Sequence, residues 1–312
     1  MEKRETPVMN RWHGIFPPLV TPLSAEDTLD AAGFNKLIEH VIAGGVHGIF
    51  LLGTTGEGPS LSTKLKYETV SAGCAAADGR IPVMVGITDT SSVESLALAR
   101  HAASCGADAL VIAPPYYLPP GQAELLEYLA HLAPRLPLPL FLYNMPAMTK
   151  VHIDVATVVQ AAKIPNIIGM KDSSCNMIYY HELLTALHDM DFPLLIGPEE
   201  LLGESVLFGG CGGIPGGANI VPSLYVGMFD AAAEKDTEAM IELQRKIFVL
   251  REIYRVGHYA SSGIKGIKCA LSLLGICGDF MAEPFHTFRA PERKRVESIL
   301  RELNLPVLAR IK

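Results

Sequence analysis

Residues 138–172, LPLFLYNMPAMTKVHIDVATVVQAAKIPNIIGMKD, hold two short apolar runs separated by a helical pattern. The runs, 138–144 and 166–172, are near-continuous in Leu, Ile, Phe and Met rather than alternating, as expected of parallel strands covered on both faces. Between them, residues 154–162 space their apolar side chains as a helix does. The fold therefore depends on whether this strand–helix–strand unit repeats.

It does. Comparable runs occupy residues 14–21 (GIFPPLVT), 47–54 (HGIFLLGT), 81–88 (IPVMVGIT), 108–115 (DALVIAPP), 193–198 (PLLIGP) and 212–217 (GGIPGG). Residues 30–43 put Phe34, Leu37, Ile38 and Val41 on one helical face. Residues 91–104 open on a Ser-Ser-x-Glu capping signal and close on Cys105-Gly106, and residues 176–188 read in the same way. Eight strands alternating with helices, without a long linker, predict an α/β fold of the (β/α)8 TIM-barrel type over residues 1–220. The count of eight and the missing GxGxxG after the first run weigh against a doubly wound open sheet. From residue 221 the strand signal stops. Residues 221–312, with helical stretches at 237–254 and 260–274, predict a C-terminal helical extension packed on or beside the barrel.

The composition narrows the function classes. The 312 residues are 49% apolar with a net charge of −7 and dispersed basic residues, which argues against a nucleic-acid partner. The six cysteines form no CxxC pair and read as thiols of a reducing compartment. Residues 1–10 lack the apolar core of a signal peptide, and the longest apolar run, 41–53, is too short to span a bilayer. The expectation is a cytoplasmic protein without a membrane partner. The strand ends carry no histidine, and no HxH or HExxH pairing occurs, so no metal ligands are expected.

Barrels of this type place their chemistry at the C-terminal ends of the strands. Those positions are Gly53-Thr54-Thr55-Gly56-Glu57, Pro115-Tyr116-Tyr117, Tyr143-Asn144, Met170-Lys171-Asp172 and Gly197-Pro198-Glu199-Glu200. A lysine ending a buried strand is costly unless it is paired or has a task. One reading of Lys171 is an amine nucleophile that forms a Schiff base with a carbonyl substrate. Such a lysine is neutral part of the time, and shifting a lysine from about 10.4 to near 7 needs on the order of 4–5 kcal/mol from its surroundings. The other reading is an ion pair with Asp172 or a solvated loop lysine. Tyr117 and Tyr143 are able to relay protons, or to be aromatics with satisfied hydroxyls. Thr54 and Thr55, in a glycine-flanked turn, offer donors to a carboxylate, or form an ordinary strand-to-helix turn with Ser62 as the next N-cap. The glycine-dense residues 209–217 fit a phosphate cradle, or a helix C-cap followed by a strand lying close to a ligand.

Taken together, GTTGE at 53–57, PPYY at 114–117, LYNMP at 142–146 and IIGMKDSS at 167–174 resemble the pyruvate-dependent Schiff-base lyases, the family of dihydrodipicolinate synthase, N-acetylneuraminate lyase and the 2-keto-3-deoxy sugar acid aldolases. The resemblance covers nearly the whole chain. It implies that Lys171 forms the imine and that Thr55, with neighbouring amides and Gly53, clamps the 2-oxo acid carboxylate. It implies that Tyr143 shuttles the proton, linked through Thr54 to a Tyr117 that reaches in from a neighbouring subunit. Ile214 falls where the family turns a backbone carbonyl into the site, and Ser173 and Glu199 join the substrate contacts. The implied assembly is a homotetramer, a dimer of dimers, and no cofactor is implied beyond the covalent imine.

The departures bear on substrate. Dihydrodipicolinate synthases carry an arginine for the aldehyde's carboxylate where this chain has Met148, which is unable to pair with a carboxylate. Thr63 and Lys66 stand where some members that bind feedback lysine have histidines. Glu199 and Glu200 fall where N-acetylneuraminate lyase places acids against sugar hydroxyls. The resulting expectation is a lyase joining pyruvate and an aldehyde, or cleaving a 2-oxo acid, with a hydroxylated 2-keto-3-deoxy acid preferred. Dihydrodipicolinate synthesis is the alternative. N-acetylneuraminate cleavage and 2-keto-3-deoxy acid dehydration share the imine, and the non-enzymatic alternative is a 2-oxo acid sensor.

Overall fold

The computed structural model describes residues 11–308. The stretch read for targeting, residues 1–10, lies outside them. Eight parallel strands form one sheet: Gly14–Ile15, Ile49–Leu51, Val83–Gly86, Ala109–Ile112, Leu140–Asn144, Ile167–Asp172, Leu194–Ile196 and Gly212–Gly213. Each of the last seven hydrogen-bonds to its neighbour in chain order, and Gly212–Gly213 pairs with Gly14–Ile15. The remaining seam closes through Pro18 and Phe50. The Leu19 N–H donates to the Phe50 carbonyl at 2.9 Å, and the Phe50 N–H donates to the Pro17 carbonyl at 3.0 Å. The sheet is therefore a closed (β/α)8 barrel. Of the run 14–21 only two residues are strand, because Pro17 and Pro18 have no N–H to give the ladder.

Helices follow every strand, at Ala31–Ala43, Thr63–Ala77, Ser92–Ser104, Gln122–Leu132, Val155–Ala161, Met177–Ala186, Leu202–Leu207 and Pro222–Ala233. Their starts follow local chemistry. Asp30, Ser62 and Asn176 accept the N–H groups of Gly33, Leu65 and Tyr179 at 2.9, 3.1 and 3.3 Å. A hairpin of Leu23–Ala25 with Thr28–Leu29, absent from the sequence reading, lies after the first strand. No helix among the described residues is long and apolar enough to cross a membrane.

Alternation along the strands separates two cores. Phe16, Phe50, Met84, Val111, Phe141 and Leu195 fill the barrel interior, and a larger cluster lies between the strands and the helices. Space inside is tight enough to dictate glycine. A Cβ on Gly169 would collide with the Phe141 ring, and one on Gly212, at φ +139°, with the backbone of Gly14.

The chain beyond Ala233 adds helices Thr237–Arg251, Ser262–Leu273 and Ala290–Glu302. They share the larger apolar cluster with the barrel helices. The middle one does more than cover the outside. Ile264 and Ile267 from it, with Phe285 beyond it, line the cavity at the barrel mouth. The sequence pattern marked this segment as helical without indicating that it lines the mouth.

Candidate active site

Strand register builds the site. Tyr143 and Lys171 are Cα partners on adjacent parallel strands, as are Asn144 and Asp172. Successive strand residues face opposite ways, so the first pair turns into the barrel and the second turns out. Asp172 is accordingly no partner for Lys171. It accepts from Asn144 Nδ2 at 2.8 Å and from the Ser174 hydroxyl at 2.9 Å. Burial holds its carboxyl above the ordinary range against those donors.

Lys171 is 4% exposed. Its Nζ lies 4.2 Å from the Tyr143 ring centroid and 5.2 Å from that of Phe50, against aromatic faces rather than a carboxylate. It opens into a cavity of about 430 Å3 that Thr54, Thr55, Tyr143, Ser173, Ile214 and Glu199 also line. Burial would raise the Tyr143 phenol. The charge of Lys171, together with hydrogen bonding from Thr54, Ser173 and Lys171, outweighs it and brings the phenol below its ordinary value. Thr54 Oγ1 stands 3.4 Å from the Tyr143 hydroxyl. The geometry thus brings an amine to a phenol primed to take and return a proton.

Not every expected residue meets there. Tyr117 is 82% exposed and lines neither this cavity nor its neighbour. The neighbouring cavity, about 230 Å3, shares Thr54, Tyr143 and Met148 with the first and is also lined by Gly53 and Tyr116. Glu199 lines the main cavity, but both its oxygens are engaged. Oε1 accepts from the Tyr225 hydroxyl at 2.8 Å, and Oε2 from the Gly217 N–H at 2.7 Å and the Tyr254 hydroxyl at 3.0 Å.

Burial keeps the Glu199 carboxyl above its ordinary value near 4.5, against those three donors. The folded chain therefore holds this proton to higher pH than the unfolded chain. The resulting stabilisation is complete below about 4.5 and is lost as pH rises through the folded value. Glu199→Gln removes that dependence. Its stability relative to wild type is expected to improve between pH 5 and pH 8, by up to about 1.4 kcal/mol per pH unit crossed. Thermal melts at both pH values check this, and a gap independent of pH would refute it.

The sequence reading missed a buried ion pair. Glu57, the last residue of GTTGE, bends back in a left-handed turn at φ 58°. Its carboxylate meets Lys268 of the helix Ser262–Leu273, and both side chains are buried. The same carboxylate accepts the Ala282 N–H at 2.9 Å, and Lys268 donates to the Phe280 carbonyl at 2.8 Å. Burial pulls the Lys268 amine below its ordinary value, and Glu57 opposes that. A lysine on the apolar stripe of GIKGIKCALSL was the available signal. Among the described residues, no group of three or more His, Cys, Asp or Glu is arranged to hold a metal ion.

The model of the dihydrodipicolinate synthetase family matches residues 11–303. A solved dihydrodipicolinate synthase from Bacteroides thetaiotaomicron is 53% identical with a TM-score of 0.90, covering 93% of this chain and 98% of its own. The Escherichia coli prophage protein YagE, of the dihydrodipicolinic acid synthase family and solved with pyruvate, is 28% identical at TM-score 0.89, covering 95% and 99%. A 4-hydroxy-tetrahydrodipicolinate synthase of Hyphomonas neptunium is 35% identical over 86% of this chain and 90% of its own.

Proposed function

The chain belongs to the dihydrodipicolinate synthetase family, whose members are lysine-imine lyases, and from that premise we propose that it makes or breaks a carbon–carbon bond in a 2-oxo acid, with pyruvate as donor or product. One observation carries the reading. The lysine that ends an interior strand lies against the ring of a tyrosine whose phenol is lowered, inside a cavity whose rim holds two threonines.

The steps follow from the geometry. Lys171 Nζ adds to the keto carbon, the carbinolamine loses water, and a protonated imine remains. That imine accepts the electron pair released when the bond between C3 and C4 breaks, or supplies a C3 nucleophile when the bond forms. Tyr143 moves the proton, with Thr54 holding its hydroxyl. Thr55 and the turn amides hold the substrate carboxylate. No dissociable cofactor takes part, since the imine is the electron sink. Tyr117 joins Thr54 from a second copy of the chain in a homotetramer, which accounts for its exposure in a single chain.

The preferred substrates are hydroxylated 2-oxo acids of the 2-keto-3-deoxy type. Dihydrodipicolinate synthesis is the second reading, favoured by the name of the Bacteroides thetaiotaomicron relative. Against it stands Met148, which lines the cavity and takes the place where the family resemblance implies an arginine. Incubation with pyruvate and borohydride, followed by intact mass and peptide mapping, is expected to give one reduced pyruvyl adduct on Lys171. A protein that stays unmodified overturns the imine mechanism. A panel of 2-oxo acids and aldehydes, read by pyruvate release or consumption, then separates enzyme from sensor and the first substrate class from the second.

A further inference from the structure

Resting on that reading, the charges around the cavity say what the far end of the substrate carries. Among the described residues that line the cavity, Lys171 is the single cation, and the imine consumes its amine. Of the lining acids, Glu57 is turned into Lys268 and Glu199 is saturated by Tyr225, Tyr254 and Gly217. Glu200 remains, and it is ion-paired with Arg251, the last residue of the helix Thr237–Arg251. The charge of Arg251 also acts on Glu199, Tyr254 and Cys175, all of which line the cavity, so the guanidinium lies just behind that wall. The lining also includes the apolar side chains of Met145, Met148, Ile264 and Phe285.

We propose that the Glu200–Arg251 pair makes this site selective for 2-oxo acids whose chain beyond the keto carbon is uncharged, with Glu200 as the residue that excludes a second carboxylate. A distal carboxylate entering here sheds its water, finds Arg251 already neutralised, and stands beside Glu200. A neutral chain meets none of these costs. Its carbons lie on Met148 and Phe285, and any hydroxyl donates to the free lone pairs of Glu200. The specificity comes as much from the repulsive group as from any attractive one.

Two probes of equal chain length test this without knowledge of the natural acceptor: 2-oxopentanoate, which ends in a methyl group, and 2-oxoglutarate, which ends in a carboxylate. The reading is the concentration that half-saturates borohydride-trapped adduct on Lys171. Wild type is expected to capture 2-oxopentanoate at least about tenfold more tightly. Glu200→Gln frees Arg251 and is expected to close most of that gap by tightening 2-oxoglutarate. Arg251→Gln, which leaves Glu200 uncompensated, is expected to widen it, and carries the test alone if the first variant does not fold. Equal or tighter capture of 2-oxoglutarate by wild type overturns the proposal. So does a ratio that neither variant moves, or a cavity that traps pyruvate but neither longer acid. Failure to trap pyruvate itself is a different result, because it removes the lyase reading underneath.

Discussion

Lys171→Arg is expected to eliminate turnover, by on the order of 10^4-fold or more in kcat, together with the trapped pyruvate adduct. The substitution separates two roles that the structure superimposes. Lys171 is a positive charge beside Tyr143, lowering its phenol, and it is also the amine that opens into the cavity. Arginine keeps the charge and stays protonated in proteins, so it preserves the first role and removes the second. If the charge were what mattered, the variant would retain much of its rate. If the amine attacks the ketone, nothing replaces it. Arginine is the bulkier side chain at a position only 4% exposed, so Lys171→Met serves as the companion, with thermal melts confirming that both fold. The expected pattern is inactivity in both variants with near-native melting in at least one. Turnover within about tenfold of wild type in the arginine variant would leave the imine mechanism untenable.

The register that makes this prediction possible was partly legible in the sequence. Strands buried on both faces show as unbroken apolar runs, which is why Leu140–Asn144 and Ile167–Asp172 stood out and why a lysine at the end of one was conspicuous. That Tyr143 and Lys171 lie side by side follows from pairing, which a linear pattern does not carry. Contacts made by the C-terminal helices were out of reach for a similar reason. Nothing in residues 237–274 marks Tyr254 as a donor to Glu199, Arg251 as the partner of Glu200, or Ile264 as a cavity wall, because each depends on how that segment folds back over the mouth. The glycine-rich residues 209–217 pointed to a phosphate cradle, or to a helix C-cap followed by a strand close to a ligand, whereas at Gly212 the group that leaves no room for a Cβ is the backbone of Gly14 on the neighbouring strand. Tyr117 shows the limit of a linear pattern: its place at a strand end suggests a site residue, yet its side chain is exposed and lines neither cavity.

The ion pair between Glu57 and Lys268 leads to the other large expected effect. Lys268→Met is expected to cost roughly 3–5 kcal/mol, because it leaves the Glu57 carboxylate buried without a cation. For a chain of this length that corresponds to a fall in melting temperature of roughly 5–8 °C. Glu57→Gln, which strands the ammonium, is expected to cost a similar amount. The double variant should cost less than the two singles added together, since neither charge is then left alone. A fold-only role would end there, but the position of Glu57 predicts more. Its N–H donates to the Thr54 carbonyl at 3.1 Å, and that of Gly58 to the Gly53 carbonyl at 3.3 Å, so the pair holds the turn that presents Thr54 and Thr55 to the substrate. Lys268 stands one position after Ile267 and four after Ile264, both of which line the cavity, so the pair also ties the turn to the helix that carries them. Assayed well below the melting temperature, Lys268→Met should therefore raise the KM for pyruvate by at least about tenfold while kcat changes less. Lys268→Arg, which restores a cation to the pair, should recover part of it. Unchanged KM values in a destabilised variant would confine the pair to holding the fold, and unchanged stability would show that Glu57 finds another partner once Lys268 is gone.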